Sequence, residues 1–163
     1  MSVFSFRHYD AARDEEPALA LWLRTWQKAY PDIDFAGRFE WWSKQWRDDL
    51  VPKANIVVAE ALEKIVGFVT VELDSHYLDQ LVVAPEFWGI GVATKLIAQA
   101  KQLSPDGLNL SVNTDNARAI AFYEKEGFVV LGNGINEFSG RPVHHMIWRP
   151  LPHPSPFPQL DRS

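Results

Sequence analysis

Two glycines stand two residues apart in APEFWGIGVATKLI (84–97), between the strand-like run LDQLVV (78–83) and the helix-like run VATKLIAQAKQL (92–103). Where a strand feeds a helix, the first turn presents about four unpaired N–H groups and the positive end of the helix dipole. Gly89 and Gly91 remove the Cβ atoms that would hold a phosphate off the backbone, and Ala93 and Thr94 keep the next turn small. The chemistry on offer is anion binding by oriented amides.

Two familiar phosphate loops fit poorly. A Walker loop needs G-x-x-x-x-G-K-[ST], which GIGVATK does not supply. A dinucleotide fingerprint needs a third small residue where Thr94 stands. Asp115, about twenty residues on, matches that motif's ribose-binding acid, but the strands before the glycines are hairpin-linked and too little chain follows for a doubly wound sheet. Metal chemistry has little to build on. The chain has no cysteine, and adjacent His144 and His145 point to opposite faces of a strand, so no metal site is expected.

The elements that must hold the junction follow from periodicity. SVFSFRHY (2–9) alternates as a first strand. From Asp14, Leu19, Trp22, Leu23, Trp26 and Tyr30 recur at helical spacing, with Pro17 near the start and Pro31 past the end. GRFEWWSKQWRDDL (37–50) predicts a second helix with Phe39, Trp42, Trp46 and Leu50 on one stripe. NIVVAE (55–60) and KIVGFVTVEL (64–73) read as an antiparallel hairpin with Gly67 as a bulge, and YLDQLVV (77–83) as a third strand beside it. After the helix from Val92 to Leu103 come LNLSVN (108–113), a helix in TDNARAIAFYEKEGF (114–128) stopped by Gly127, and the closing strands FVVLGN (128–133) and HHMIWR (144–149). The predicted order is β-α-α-β-β-β-α-β-α-β-β: an α+β fold with a mixed, mostly antiparallel sheet flanked by helices. Residues 1–149 form one domain; 150–163 form a C-terminal tail with proline at every second position from 150 to 158.

VVAPEFWGIGVATKLI, followed about twenty residues later by NARAIAFYEKEGF, resembles the paired motifs of the GNAT superfamily of acyl-CoA-dependent N-acetyltransferases. The first is similar to V-x-P followed by [QR]-x-x-G-x-[GA]; the second to N-x-x-A-x-x-F-Y-x-x-x-G-F. The resemblance implies that the main chain of Leu81, Val82 and Val83 lines the pantetheine arm. It implies that amides of Trp88, Gly89, Ile90, Gly91, Val92, Ala93 and Thr94 hold the pyrophosphate of acetyl-CoA, with Asn116 and Tyr123 approaching from the next helix. In that family the strands corresponding to LDQLVV and LNLSVN splay apart, so the cofactor adds to the sheet as a strand would. Trp88 departs from the pattern, standing where Gln or Arg is preferred.

The implied reaction is attack of a primary amine on the thioester. An alkylammonium, with pKa about 10, must lose a proton first, and the leaving thiolate, pKa about 8.5, gains from a donor. Tyr123 occupies the family's donor position. Some members carry a glutamate where this chain has Tyr77, so that base does not transfer. Asp79, expected to share a strand face with Tyr77, Leu81 and Val83, and Glu72 rank first as base, with Asp74 and His76 as rivals. Trp26 and Tyr30, at the end of the first helix, are candidates for contacting the amine through cation–π interaction.

A non-catalytic acyl-CoA-binding or sensing module is the alternative, and a nucleotide-dependent oxidoreductase a third. Sixteen basic and twenty-one acidic residues give a net charge of -5, which argues against nucleic acid as a partner. The expected partner is a small-molecule or peptide amine. No apolar run approaches the about 20 residues of a membrane span, and the absence of cysteine fits a cytoplasmic location. Exposed edges of the final strands would allow a homodimer.

Overall fold

The computed structural model describes residues 4–137 and 139–150. Apart from Pro150, the tail lies outside the described residues. Strands β1 (Ser5–His8), β2 (Ala54–Ala61), β3 (Lys64–Glu72), β4 (Tyr77–Val83), β5 (Leu108–Asn113), β6 (Val129–Ile135) and β7 (Pro142–Trp148) form one sheet. Its spatial order is β1-β2-β3-β4-β5-β7-β6, antiparallel at each junction except β4–β5. Helices α1 (Ala11–Ala29), α2 (Phe35–Gln45), α3 (Val51–Lys53), α4 (Val92–Leu103) and α5 (Ala117–Lys125) complete the expected α+β architecture.

Helix α1 starts three residues before the expected Asp14. Asp10 caps it, accepting from the Ala12 N–H at 3.1 Å, and Pro17 therefore falls inside the helix rather than at its start. The buried Asp14 carboxylate takes a two-pronged contact from Arg7 at 2.7 and 2.9 Å, clasping the helix to β1. Asp34 caps α2, and the Trp-rich stripe then runs into a π-helical turn, Trp46–Leu50. That extra residue per turn lets Trp46 bury completely against Tyr9 and Phe68, with its indole N–H donating to the Tyr9 hydroxyl at 3.0 Å.

The two sheet faces are both covered. Phe68 meets Trp46 on one side, while on the other a Cβ at Gly67 would lie 2.8 Å from the Val82 carbonyl and 3.1 Å from Leu96 of α4. Gly67 is thus required by close packing. The extra residue in the β2–β3 register is its neighbour Val66. A second bulge, which the strand pattern hid, lies in β4: Thr70 pairs with Gln80 and Val71 with Leu78, leaving Asp79 as the added residue. The bulge is held by buried Thr70, whose hydroxyl accepts from the Gln80 N–H at 2.9 Å. It also corrects the expected face sharing, because by register Tyr77 aligns with Gln80 rather than with Leu81.

Strand β5 has the alternation expected, with Leu108, Leu110 and Val112 buried. Its one register pair with β4 is Tyr77 with Asn109. Beyond that pair the strands diverge.

Candidate active site

The divergence opens a groove of about 750 Å³, lined by Leu81, Val82 and Val83 of β4, by Trp88, Gly89, Gly91, Ala93 and Thr94 of the glycine loop, and by Asn116 and Tyr123. Gly89 and Gly91 have φ of 81° and 92°, the left-handed region that favours glycine, and a Cβ on either would meet nothing within 4 Å. Open space lies against the main chain there. Among the described residues, the N–H groups of Gly89 to Thr94 have no protein acceptor, and Gly91 caps α4 without a side-chain bond. Trp88 is the correction: its N–H goes to the Pro85 carbonyl at 3.2 Å, closing a 3-10 turn, so the available amides start at Gly89. Ile90 is exposed and Val92 is buried in the core, which leaves their main chain alone for an anion.

The Trp88 side chain has other work. Its indole N–H donates to the Val83 carbonyl at 2.7 Å, and Arg118 of α5 lies over its ring, 4.6 Å from the centroid. Arg118, Lys28 and Lys125 all line the groove, and among the described residues no Asp or Glu does. A chain of net charge -5 thus presents a cationic wall where a phosphate would sit. Arg118 escaped sequence reasoning because its pairing with Trp88 joins two segments thirty residues apart.

A second cavity, about 310 Å³, abuts the first. Trp26, Leu81, Asn116, Ala119 and Tyr123 line both. Tyr123 is wedged edge-on between Phe122 and Phe128, with ring centroids 5.3 and 5.5 Å away. Burial, with a smaller contribution from Tyr77, pushes its hydroxyl well above the ordinary phenol value, so it stays protonated and able to donate. Asn116 caps α5, accepting from the Ala119 N–H at 3.1 Å.

Asp79 lines the second cavity, carried there by the bulge. Burial raises its carboxyl above the ordinary range, a Gln80 hydrogen bond at 3.2 Å opposes the shift, and Glu72 and Asp49 add repulsion. Burial raises the Tyr77 hydroxyl too, with the nearby Ser111 side chain opposing the shift. Ser111 Oγ in turn lies 2.9 Å from His145 Nδ1, while His144 Nδ1 lies 2.6 Å from Asn133 Oδ1. The two histidines thus engage different partners. Glu72 lines neither cavity, nor do Asp74 and His76. Trp26 and Tyr30 stack at 5.8 Å in the wall of the second cavity, and Trp26 reaches the first as well.

A groove edged by free amides and ending at a protonated phenol, with a half-buried carboxylate lining the adjoining cavity, has the layout that an acyl-CoA-dependent N-acetyltransferase requires. The chain belongs to the acetyltransferase (GNAT) family, whose model matches residues 15–128. It is 31% identical over 128 residues to the peptidyl-lysine N-acetyltransferase YjaB of Salmonella typhimurium, covering 78% of this chain and 85% of that protein. The solution structure of apo YjaB from Escherichia coli superposes with a TM-score of 0.71 at 27% identity, over 90% of this chain and 98% of that one. The PaiA N-acetyltransferase of Thermoplasma acidophilum, in complex with coenzyme A, shares the fold at a TM-score of 0.75 and 19% identity, over 91% and 99%. Acetyl-CoA is the co-substrate, and the non-catalytic alternative is not favoured. Among the described residues no helix is long and apolar enough to cross a membrane.

Proposed function

We propose that the acetyl group passes directly from acetyl-CoA to a primary amine of a small molecule or peptide, with Asp79 as base and Tyr123 as acid. The amine nitrogen attacks the thioester carbonyl carbon, the C–N bond forms and the C–S bond breaks. Asp79 takes the proton that frees the amine, and Tyr123 gives its phenolic proton to the departing thiolate. The amides of Gly89 to Thr94, with Arg118, Lys28 and Lys125, hold the pyrophosphate. The observation that carries this reading is the meeting of the two cavities at Tyr123. Glu72 acts on Asp79 only as a neighbouring charge. A thiol-release assay with acetyl-CoA over amines, polyamines and lysine peptides tests it: turnover is expected, and its absence with every acceptor would overturn the proposal.

We also infer that two copies pair along β6. This edge strand carries Val129, Val130, Leu131 and Ile135 at 60, 47, 73 and 70% exposure, apolar side chains on both of its faces beside the open edge of the sheet. Sedimentation should give a dimer for the natural chain and a monomer for Leu131→Asp.

A further inference from the structure

Among the described residues, five buried side-chain polar atoms lack a hydrogen-bond partner: Thr25 Oγ1, Trp26 Nε1, Tyr30 Oη, Trp42 Nε1 and Gln80 Oε1. Four belong to residues of the 310 Å³ cavity, and Thr25 lines the adjoining groove. The Tyr30 hydroxyl lies near the Asn113 and Asn116 side chains but meets neither at full hydrogen-bond geometry. Folded proteins rarely leave such groups unpaired, because each forfeits its hydration without return. Their concentration around one cavity points to a ligand.

The chemistry of that ligand can be read from the wall. Gln80 Oε1 and the Asp79 carboxylate, joined by the Gln80–Asp79 hydrogen bond, make an acceptor pole for an ammonium. Trp26, Trp42 and Tyr30 supply three unused donors, which want an oxygen on the ligand. Among the described residues no Lys or Arg lines the cavity, so a carboxylate there would face Asp79 without a counter-charge in the wall. Stacked aromatic rings, Trp22 on Trp42 at 4.8 Å and Trp26 on Tyr30 at 5.8 Å, make the remaining wall apolar. Arg141, outside the lining, lies over the Tyr30 ring at 5.2 Å and pairs with Asp115 at 2.8 Å. At about 310 Å³ the cavity is at the small end for ligand sites.

We propose that this cavity admits a compact primary amine with an aromatic or branched apolar body and a neutral oxygen acceptor, in preference to a polyamine or a lysine side chain of a folded protein. The inference rests on the transferase reading above, since it takes Asp79 and Tyr123 to mark where the amine reacts. The four polar atoms are shielded from water, so the three rings and the Gln80 amide must reorient to meet the ligand. Binding should therefore alter tryptophan fluorescence.

The test uses the full chain with tyramine, 2-phenylethylamine, phenylalanine amide, phenylalanine, spermidine and a lysine peptide. Thiol release from acetyl-CoA should give kcat/KM for tyramine and phenylalanine amide about 10-fold or more above the other four. Trp42→Phe and Tyr30→Phe, which keep the rings and remove one donor each, should bring the ratio of tyramine to phenylethylamine toward one. A preference for spermidine or the lysine peptide, or an unchanged ratio in both variants, would overturn the inference while leaving the transferase reading intact. Thiol release with none of the amines would sink the transferase reading instead; fluorescence titration with phenylalanine amide against spermidine then decides the pocket, and saturation by spermidine alone overturns it.

Discussion

Tyr77 and Asn109 form the one register pair between β4 and β5 among the described residues, and past them the two parallel strands part. The Asn109 N–H donates to the His76 carbonyl at 2.8 Å, and its side-chain amide donates to the Ser75 and His76 carbonyls at 2.9 and 3.1 Å. This pins the apex of the split. From Leu78 to Val82 β4 has no register partner in β5, and the Val83 carbonyl is taken by the Trp88 indole; in the proposed complex the pantetheine arm runs along this open edge.

Tyr123→Phe keeps the ring packed between Phe122 and Phe128 and removes only the proton donor. Turnover should fall by about 100-fold or more, while coenzyme A titrated by calorimetry binds as before. The raised phenol also predicts that the natural enzyme does not lose this acid on the alkaline side up to pH about 10. An alkaline decline absent from the Phe variant and present well below that pH would contradict this role.

Asp79→Asn separates activity from stability. Because burial raises this carboxyl in the folded chain, its ionised form opposes folding, and that cost grows as pH rises through the shifted value. The variant should melt higher than the natural chain at pH 7, and the gap should close below the ordinary carboxylate range. Turnover should drop by about 100-fold. For the natural enzyme, rate should rise with pH as the carboxylate ionises.

Asp14 works in the opposite sense. Arg7 holds its carboxyl below the ordinary value, so the stability it adds is present at neutral pH and lost as pH falls through the shifted value. Asp14→Ala leaves Arg7 with Glu60 as its carboxylate partner but opens the clasp between β1 and α1, at a cost of about 2 kcal/mol. Urea unfolding at pH 7 measures the loss, and at low pH the natural chain and the variant should converge.

Gly91→Ala forces a side chain into φ of 92°, costing about 1 kcal/mol, although the added methyl meets no protein atom. Its Cβ would stand over the amides assigned to the pyrophosphate, so the Kd for coenzyme A should rise about 10-fold or more. Affinity for pantetheine, which lacks the pyrophosphate, should hardly change. Equal weakening of both ligands would argue for a general collapse of the loop.

Arg118→Gln removes the guanidinium above Trp88 without touching the glycine turn. Coenzyme A should bind several-fold more weakly, and the loss should shrink as salt screens the charge. A loss independent of salt would point to packing on the indole instead.

Element order was legible in the sequence because each helix and strand here carries its own period and its own breaker. Val92 to Leu103 and the Leu108, Leu110, Val112 alternation match the expected elements, and Gly127 ends α5 at φ of 97°. The glycine loop was legible for the same reason: anion binding by a helix start is local, written into two residues whose missing side chains can be seen. Start points moved where a cap competed with a pattern, as at Asp10. The π turn at Trp46 did not announce itself, since one extra residue leaves the apolar stripe in the sequence unchanged.

What the sequence by itself determined were the quantities carried by neighbours along the chain: the order of elements, the bare amides of residues 89 to 94, and the motifs that mark an acyl-CoA enzyme. Tertiary structure alone decided which acid faces the smaller cavity, that Arg118 covers Trp88, and that four described polar atoms go unpartnered around that cavity. Asp79 and Glu72 look alike in the linear chain. They part because a single added residue in β4, fixed by its pairing with β3 and by the Thr70 hydroxyl, re-aims the strand, and such register is set only by contact across the sheet.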